Sequence, residues 1–276
     1  MGFRVIVFTD SDNFYSAFER AFELLSFSLV RAPVALLQDA LNLQDSTALQ
    51  AYLLEQRACT VVNAMCVNRL PTNMLAAACT LIQTPLLHLS SYRVFGAHQK
   101  MLDEDVMPSP DDDEGRWLLS LEQSVLTAPQ AIVLRLPWLL VGASESLLVR
   151  VCESLLSSQP TLVSEECSGY VVVQDDVARF VVAMIQQIIV GAENWGVFHL
   201  RSSDTCSEAE FTDAIARLLK AEGWQDVAFS TYKGTSDVMP KSGMLQGRRC
   251  TDAFGIQFRS FRLGLKVSLQ NYLAQR

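Results

Sequence analysis

The chain has 276 residues, 50% of them hydrophobic and 19% charged, with a formal net charge of -8 and a pI near 4.9. That length can bury a large core, and the acidic balance excludes partners that need a basic face, nucleic acid and anionic membrane among them. The seven cysteines (Cys59, Cys66, Cys79, Cys152, Cys167, Cys206, Cys250) are odd in number, scattered and never in a C-x-x-C pair, which fits reduced thiols used as small apolar filler and no metal site.

The first 140 or so residues alternate short apolar runs with helical-period segments, the pattern of a parallel sheet covered on both faces. In chain order the expected strands are Arg4 to Thr9, Ser26 to Arg31, Thr60 to Ala64, Leu86 to Ser90 and Ala131 to Leu136. The expected helices are Tyr15 to Leu25, Ser46 to Gln56 with Ser46 as its cap, Thr72 to Ile82 and Arg116 to Leu126. The acidic, proline-containing stretch Asp103 to Glu114 has no periodicity and reads as a surface loop ahead of a helix beginning near Gly115. Past Gly142 the pattern changes to a helix (Ser146 to Ser157), a strand (Tyr170 to Val173), a long apolar helix (Val177 to Val190), a strand (Gly196 to Leu200) and an amphipathic helix (Ser207 to Glu222). A Phe-Gly-Ile turn and a closing helix (Phe261 to Ala274) end the chain. The fold expected is α/β, a Rossmann-like doubly wound parallel sheet over residues 1–142. A smaller, interleaved C-terminal lobe over 143–276 would return a strand to the main sheet. No apolar run approaches the roughly 18 residues of a membrane span, and the first strand follows no basic leader, so a cytoplasmic location is expected.

A set of local sequences then falls in a familiar order. Val61-Val62-Asn63-Ala64-Met65-Cys66 is similar to V-I-N-A-A-A, and Leu87-His88-Leu89-Ser90-Ser91-Tyr92-Arg93-Val94-Phe95 to H-V-S-T-D-Y-V-F. Glu114-Gly115-Arg116-Trp117-Leu118-Leu119-Ser120-Leu121-Glu122 falls on Y-G-R-T-K-L-x-G-E, and Leu134-Arg135-Leu136-Pro137-Trp138 on R-x-S-W. Asp175-Asp176-Val177-Ala178, Gly196-Val197-Phe198-His199-Leu200 and Phe254-Gly255-Ile256 match D-L-A, G-x-Y-H-L and F-G-I. No one match is specific, but the ordered set resembles the extended short-chain dehydrogenase/reductases of the dTDP-4-dehydrorhamnose reductase type. That group also contains the regulatory β subunit of methionine adenosyltransferase.

The resemblance implies a dinucleotide cofactor, and here the sequence departs from the family. The family's phosphate loop, G-x-x-G-x-x-G, lets backbone reach the pyrophosphate at a helix N-terminus; its three glycines read Thr9, Asp12 and Tyr15 in this chain. Asp10 and Asp12 add carboxylates, and like charges about 4 Å apart repel by roughly 4 kcal/mol at an effective dielectric near 20. The alternative reading of the turn is plain helix capping by Asp10, Ser11 or Asp12. Asn63, Ala64 and Met65 occupy the remaining cofactor-facing places that the resemblance implies. The family's Tyr-x-x-x-Lys dyad, in which the ammonium lowers the phenol's pKa for proton donation, becomes Glu114 and Leu118. Ser91 alone survives at the carbonyl-binding place. Trp138, Arg248 and Arg249 are candidates for the ligand crevice, the arginines as phosphate forks, against the blander readings of a filled cavity and an ion-paired loop. The histidines His88, His98 and His199 read as satisfied core or edge groups.

These losses imply a non-catalytic relative without a cofactor, acting by protein interaction, regulation or self-association. Two alternatives stay open: a binder of a nucleotide-sugar or other metabolite without redox chemistry, and an NADP-dependent reductase in which Glu114 replaces the tyrosine.

Overall fold

The computed structural model describes residues 3–23, 25–64, 72–99, 102–140, 147–157, 161–234 and 243–274. Its first half runs β1 (Phe3–Phe8), α1 (Asp12–Phe22), β2 (Phe27–Arg31), α2 (Ala35–Leu43), α3 (Thr47–Gln56), β3 (Ala58–Asn63), α4 (Asn73–Leu81), β4 (Leu86–Ser91), α5 (Asp113–Val125) and β5 (Ala131–Leu136). There follow β6 (Trp138–Leu140), α6 (Leu147–Leu155), β7 (Thr161–Ser164), β8 (Ser168–Val173), α7 (Gln174–Ile189), β9 (Gly196–His199), β10 (Thr205–Ser207), α8 (Glu208–Ala221), β11 (Phe229–Tyr232), α9 (Arg248–Phe254) and α10 (Arg262–Ala274).

The main sheet is six-stranded and parallel, in the order β2-β1-β3-β4-β5-β9. Period-two alternation divides its side chains. Val5, Val7, Val62, Leu87, Leu89, Ile132 and Leu134 pack under α1 and α7, while Ile6, Phe8, Val61, Leu86 and Val133 pack under α2, α3, α4 and α5. Both faces are covered, so the fold class is the α/β doubly wound sheet. A second body joins the three-stranded sheet β10-β8-β6 and the parallel pair β11-β7 to α6, α8 and α10, around Trp138, Leu140, Val171, Val173, Phe211 and Phe261. Gly255 closes α9 at φ 64, a left-handed conformation that suits glycine and makes the Phe-Gly-Ile turn.

Several local expectations need correction. Helix α1 starts at Asp12, ahead of Tyr15, because the Ser11 side chain accepts a hydrogen bond from the Phe14 N–H. Ser46 stands at the cap of α3 but makes no capping bond; the Asp45 carboxylate accepts from the Thr47 N–H instead. Helix α5 begins at Asp113, since Asp112 accepts from the Gly115 N–H, and the acidic loop is correspondingly shorter. His88 is buried with neither ring nitrogen bonded to a described residue, so it is not satisfied, and burial pushes it down to about 4. Among the described residues the six cysteines form no disulfide with one another; Cys66 lies outside them.

Candidate functional site

In a doubly wound sheet the ligand crevice lies beyond the carboxyl ends of the strands. At its first end the turn between β1 and α1 is closed by the chain's own groups. The buried Thr9 hydroxyl accepts from the Ser11 N–H at 3.2 Å, and its carbonyl accepts from two guanidinium nitrogens of Arg31, each at 3.3 Å. Arg31 also bonds the Asp12 carboxylate at 2.5 Å and lies over the Tyr15 ring, 5.3 Å from its centroid. The carboxylate repulsion expected from sequence is therefore partly cancelled by a cation. What stands against a pyrophosphate is occupancy: no glycine opens the turn, and Arg31, Asp12 and Tyr15 are committed to one another. Asn63 ends β3 and Ala64 follows it, both fully buried, the Ala64 N–H donating to the Phe8 carbonyl at 2.9 Å; Met65 lies outside the described residues.

At the other end, Ser91 closes β4 and its hydroxyl accepts from the Arg93 N–H at 3.3 Å. Arg93 in turn holds the Glu114 carboxylate at 2.6 Å, with both side chains about two-fifths exposed. That guanidinium holds the Glu114 carboxyl as an acceptor. Gly115 lets this arrangement close, because a Cβ there would stand 2.4 Å from the Arg93 carbonyl. Leu118, like Tyr92, packs against the small buried apolar cluster of Val94, Phe95, Leu102 and Leu245. Burial pushes Tyr92 up to about 12, and its hydroxyl is hydrogen-bonded with Trp138, so the phenol stays protonated and is a weak acid. Trp138 is buried against Gly169 and Gly243 in the second body's core, so it fills space and does not line an open crevice.

Ser91, Glu114, Leu118 and Trp138 thus meet around Tyr92 and Arg93, two residues that sequence reasoning passed over. Arg248 and Arg249 do not join them. They open α9, where Arg248 pairs with Asp252 at 3.4 Å, while Arg249 pairs with Asp105 at 2.5 Å and donates to the Val197 carbonyl at the sheet's far strand. The signals that could have found Arg31 and Arg93 were positional: a cation at the end of the second strand, facing an acidic turn, and a cation two residues past Ser91.

A third constellation lies beneath the crevice. Glu122 of α5 is buried and takes a two-pronged contact from Arg135 of β5, 2.7 Å at its shortest, and a bond from the Ser90 hydroxyl at 2.5 Å. Arg135 also lies over the Phe95 ring and contacts His199 Nε2 at 3.3 Å, while His199 Nδ1 sits 3.0 Å from the Leu102 carbonyl. The carbonyl requires a proton on Nδ1, so Nε2 accepts from Arg135 and the ring is neutral. Burial, with Arg135 adding to it, pushes His199 down to about 3. Every charge here is paired, as a buried charge must be.

A parallel six-stranded sheet, covered on both faces and prolonged into a second body at the crevice, defines the architecture of short-chain reductases. The chain belongs to the family described as the RmlD substrate binding domain, whose model matches residues 30–274. It is 29% identical over 168 residues to a dTDP-4-dehydrorhamnose reductase of Mycolicibacterium smegmatis, a match covering 58% of this chain and 49% of that protein. The match thus spans about half the length of this curated relative. Among solved structures it is similar to a dTDP-4-dehydrorhamnose reductase from Clostridium acetobutylicum, with TM-score 0.79 and 19% identity over 99% of this chain and 100% of that one. The reductase of Bacillus anthracis in complex with NADP gives TM-score 0.75 and 16% identity over 100% and 99%. At such identities these likenesses speak for the fold alone.

Proposed function

We propose that the chain is a reductase-like scaffold that has left hydride chemistry and acts through protein contacts. The observation carrying this reading is that the replacements at both ends of the crevice are matched to partners within the chain, Asp12 to Arg31 and Glu114 to Arg93. The turn that these residues fill offers no glycine-lined opening for the cofactor the family implies.

The competing reading, an NADP-dependent reductase with an altered site, draws support from the family and from the structural neighbour solved with NADP. It needs Glu114 to give up Arg93 and hold a proton at neutral pH, and it needs the turn to open. A metabolite binder without redox chemistry would have to free Arg93 from Glu114 to use it beside Ser91, since Arg248 and Arg249 stand apart from that group at the start of α9. Calorimetric titration with NADPH and NADH, followed by an NADPH-oxidation assay with dTDP-4-dehydrorhamnose, separates the readings. No binding at micromolar protein and no turnover are expected. Micromolar affinity with substrate-dependent oxidation would overturn the proposal.

A further inference from the structure

Strand β8 presents its two faces to different surroundings. Gly169 abuts Trp138 and Gly243, and Val171 and Val173 join the second body's core, so strand alternation turns Tyr170 to the face opposite Trp138. There Arg201, two residues past β9, places its guanidinium carbon 4.9 Å from the centroid of the Tyr170 ring and 4.9 Å from that of Phe258. Phe258 stacks in turn on Phe180, with centroids 5.4 Å apart. Gly247 makes room for this: a Cβ there would stand 2.7 Å from Phe258 Cζ and 3.3 Å from Arg201 Cγ. Two rings fix the guanidinium in place and leave its charge intact, because a π face attracts a cation without neutralising it.

The donors of that guanidinium are used unevenly. Nη1 donates to the Tyr170 hydroxyl at 3.1 Å and to the Ser202 carbonyl at 3.4 Å. Nε is enclosed and finds no acceptor among the described residues, and no described carboxylate pairs with the side chain. Asp204, three residues on, is engaged by Arg262 at 2.8 Å and by the Ser260 hydroxyl at 3.0 Å. Arg259, next to Phe258, adds a second cation to this side. Burial, and further repulsion from Arg259, hold Arg179 below its ordinary value against the pull of Asp176. Arg135 shows what the remaining edge of Arg201 suits: its own Nε and Nη2 take the Glu122 carboxylate side-on, at 3.0 and 2.7 Å.

We propose that Arg201 holds the carboxylate of a small-molecule ligand across its Nε–Nη2 edge, with Tyr170 and Phe258 fixing the fork and Arg259 adding attraction. Arg201 is only partly buried, so an anion reaches the fork from solvent and supplies the acceptor that the Nε–H lacks. The net charge of -8 opposes an anion at long range, so binding rests on the fork and is of millimolar strength.

Nitrogen-15 spectra of the arginine Nε–H groups, recorded on the full chain during titration with sodium malonate and with sodium chloride at matched ionic strength, test the site. The Arg201 resonance should move saturably with malonate and not with chloride. Arg201→Lys keeps the charge and loses the fork, so calorimetry should show malonate binding weakened by roughly tenfold or more, while Arg248→Ala leaves it unchanged. Equal shifts in chloride, an Arg201 resonance that does not move, saturation by inorganic phosphate but not by malonate, or wild-type affinity in Arg201→Lys each overturns the proposal. Should Arg201→Lys fail to fold, the wild-type Nε–H titration decides alone. The site lies away from the turn at Thr9 and the Arg93–Glu114 pair and has its own resonance, so this titration and the NADPH assay can fail separately.

Discussion

The buried constellation of Ser90, Glu122, Arg135 and His199 and the crevice positions Thr9, Asp12, Tyr15, Glu114 and Leu118 belong to one doubly wound sheet and share helix α5, yet they differ in what the sequence preserves. The first set coincides with matched landmarks of the reductase type, and every polar group in it finds a partner. The second departs from that pattern at every position, and its charges pair within the crevice. Landmarks that persist are therefore evidence for the sheet and not for the chemistry. Glu122 and Arg135 hold α5 to β5, and His199 ties the edge strand β9 to the Leu102 segment whatever happens above them.

The largest expected effect tests whether that network supports the fold. Arg135→Leu leaves Glu122 buried without its cation, and breaking a buried pair from one side costs roughly 3–5 kcal/mol. Urea denaturation should show that loss, with an unchanged far-ultraviolet spectrum where the variant still folds. A loss under about 1 kcal/mol would mean that the pair is dispensable and the contrast with the crevice is empty.

Next comes acid. His88 titrates at its ordinary value in the unfolded chain and is pushed down to about 4 in the folded one. Between pH 6.5 and about 4 the unfolded state binds a proton that the folded state refuses, so stability is present above that window and falls through it. The loss is about 3 kcal/mol for a shift of this size. His88→Leu should flatten that part of the stability–pH curve, leaving the share due to His199, which is depressed by burial and by Arg135. A curve of unchanged slope would contradict the burial of an unpartnered ring.

How far the sequence foretold these features follows from the length of the signal each one carries. Strand β5 was legible to the residue, and the long apolar helix α7 nearly so, because a buried parallel strand and a 16-residue helix carry long apolar patterns. The short strands β6, β7, β10 and β11 were not legible, because too few residues alternate for a period to show, whereas the equally short β9 was read from its Gly196–Leu200 landmark. Helix α2 was passed over, although Ala35–Leu43 is apolar enough to have suggested one. At the crevice, the departures from the family pattern could be read directly from Thr9, Glu114 and Leu118. Their compensation could not, because Arg31 and Arg93 reach their carboxylates across 19 and 21 positions of sequence, and only the fold brings those positions together.

Smaller effects belong to the compensating pairs themselves. Asp12 is 90% exposed, and Arg93 and Glu114 are both substantially solvated, so Asp12→Ala or Glu114→Gln should change stability by no more than about 1 kcal/mol, and less in high salt. A change of several kcal/mol on denaturation would place these residues with the buried network and erase the distinction.

The smallest expected effect is also the sharpest test of the difference between the two regions. Glu114→Tyr with Leu118→Lys rewrites the dyad in its family form, yet NADPH oxidation should stay undetectable. Two features of the site resist the repair. Leu118 packs against the buried apolar cluster of Val94, Phe95, Leu102 and Leu245, where an ammonium would be partly desolvated and less able to lower a phenol's pKa. The turn at Thr9, Asp12 and Tyr15 stays filled by Arg31, so restoring a proton donor supplies no place for a hydride donor. Turnover by this double variant, measured against dTDP-4-dehydrorhamnose, would show that the phosphate end of the crevice still works and that only the acid was lost. The pairing of Asp12 with Arg31 would then be a resting contact that the cofactor displaces.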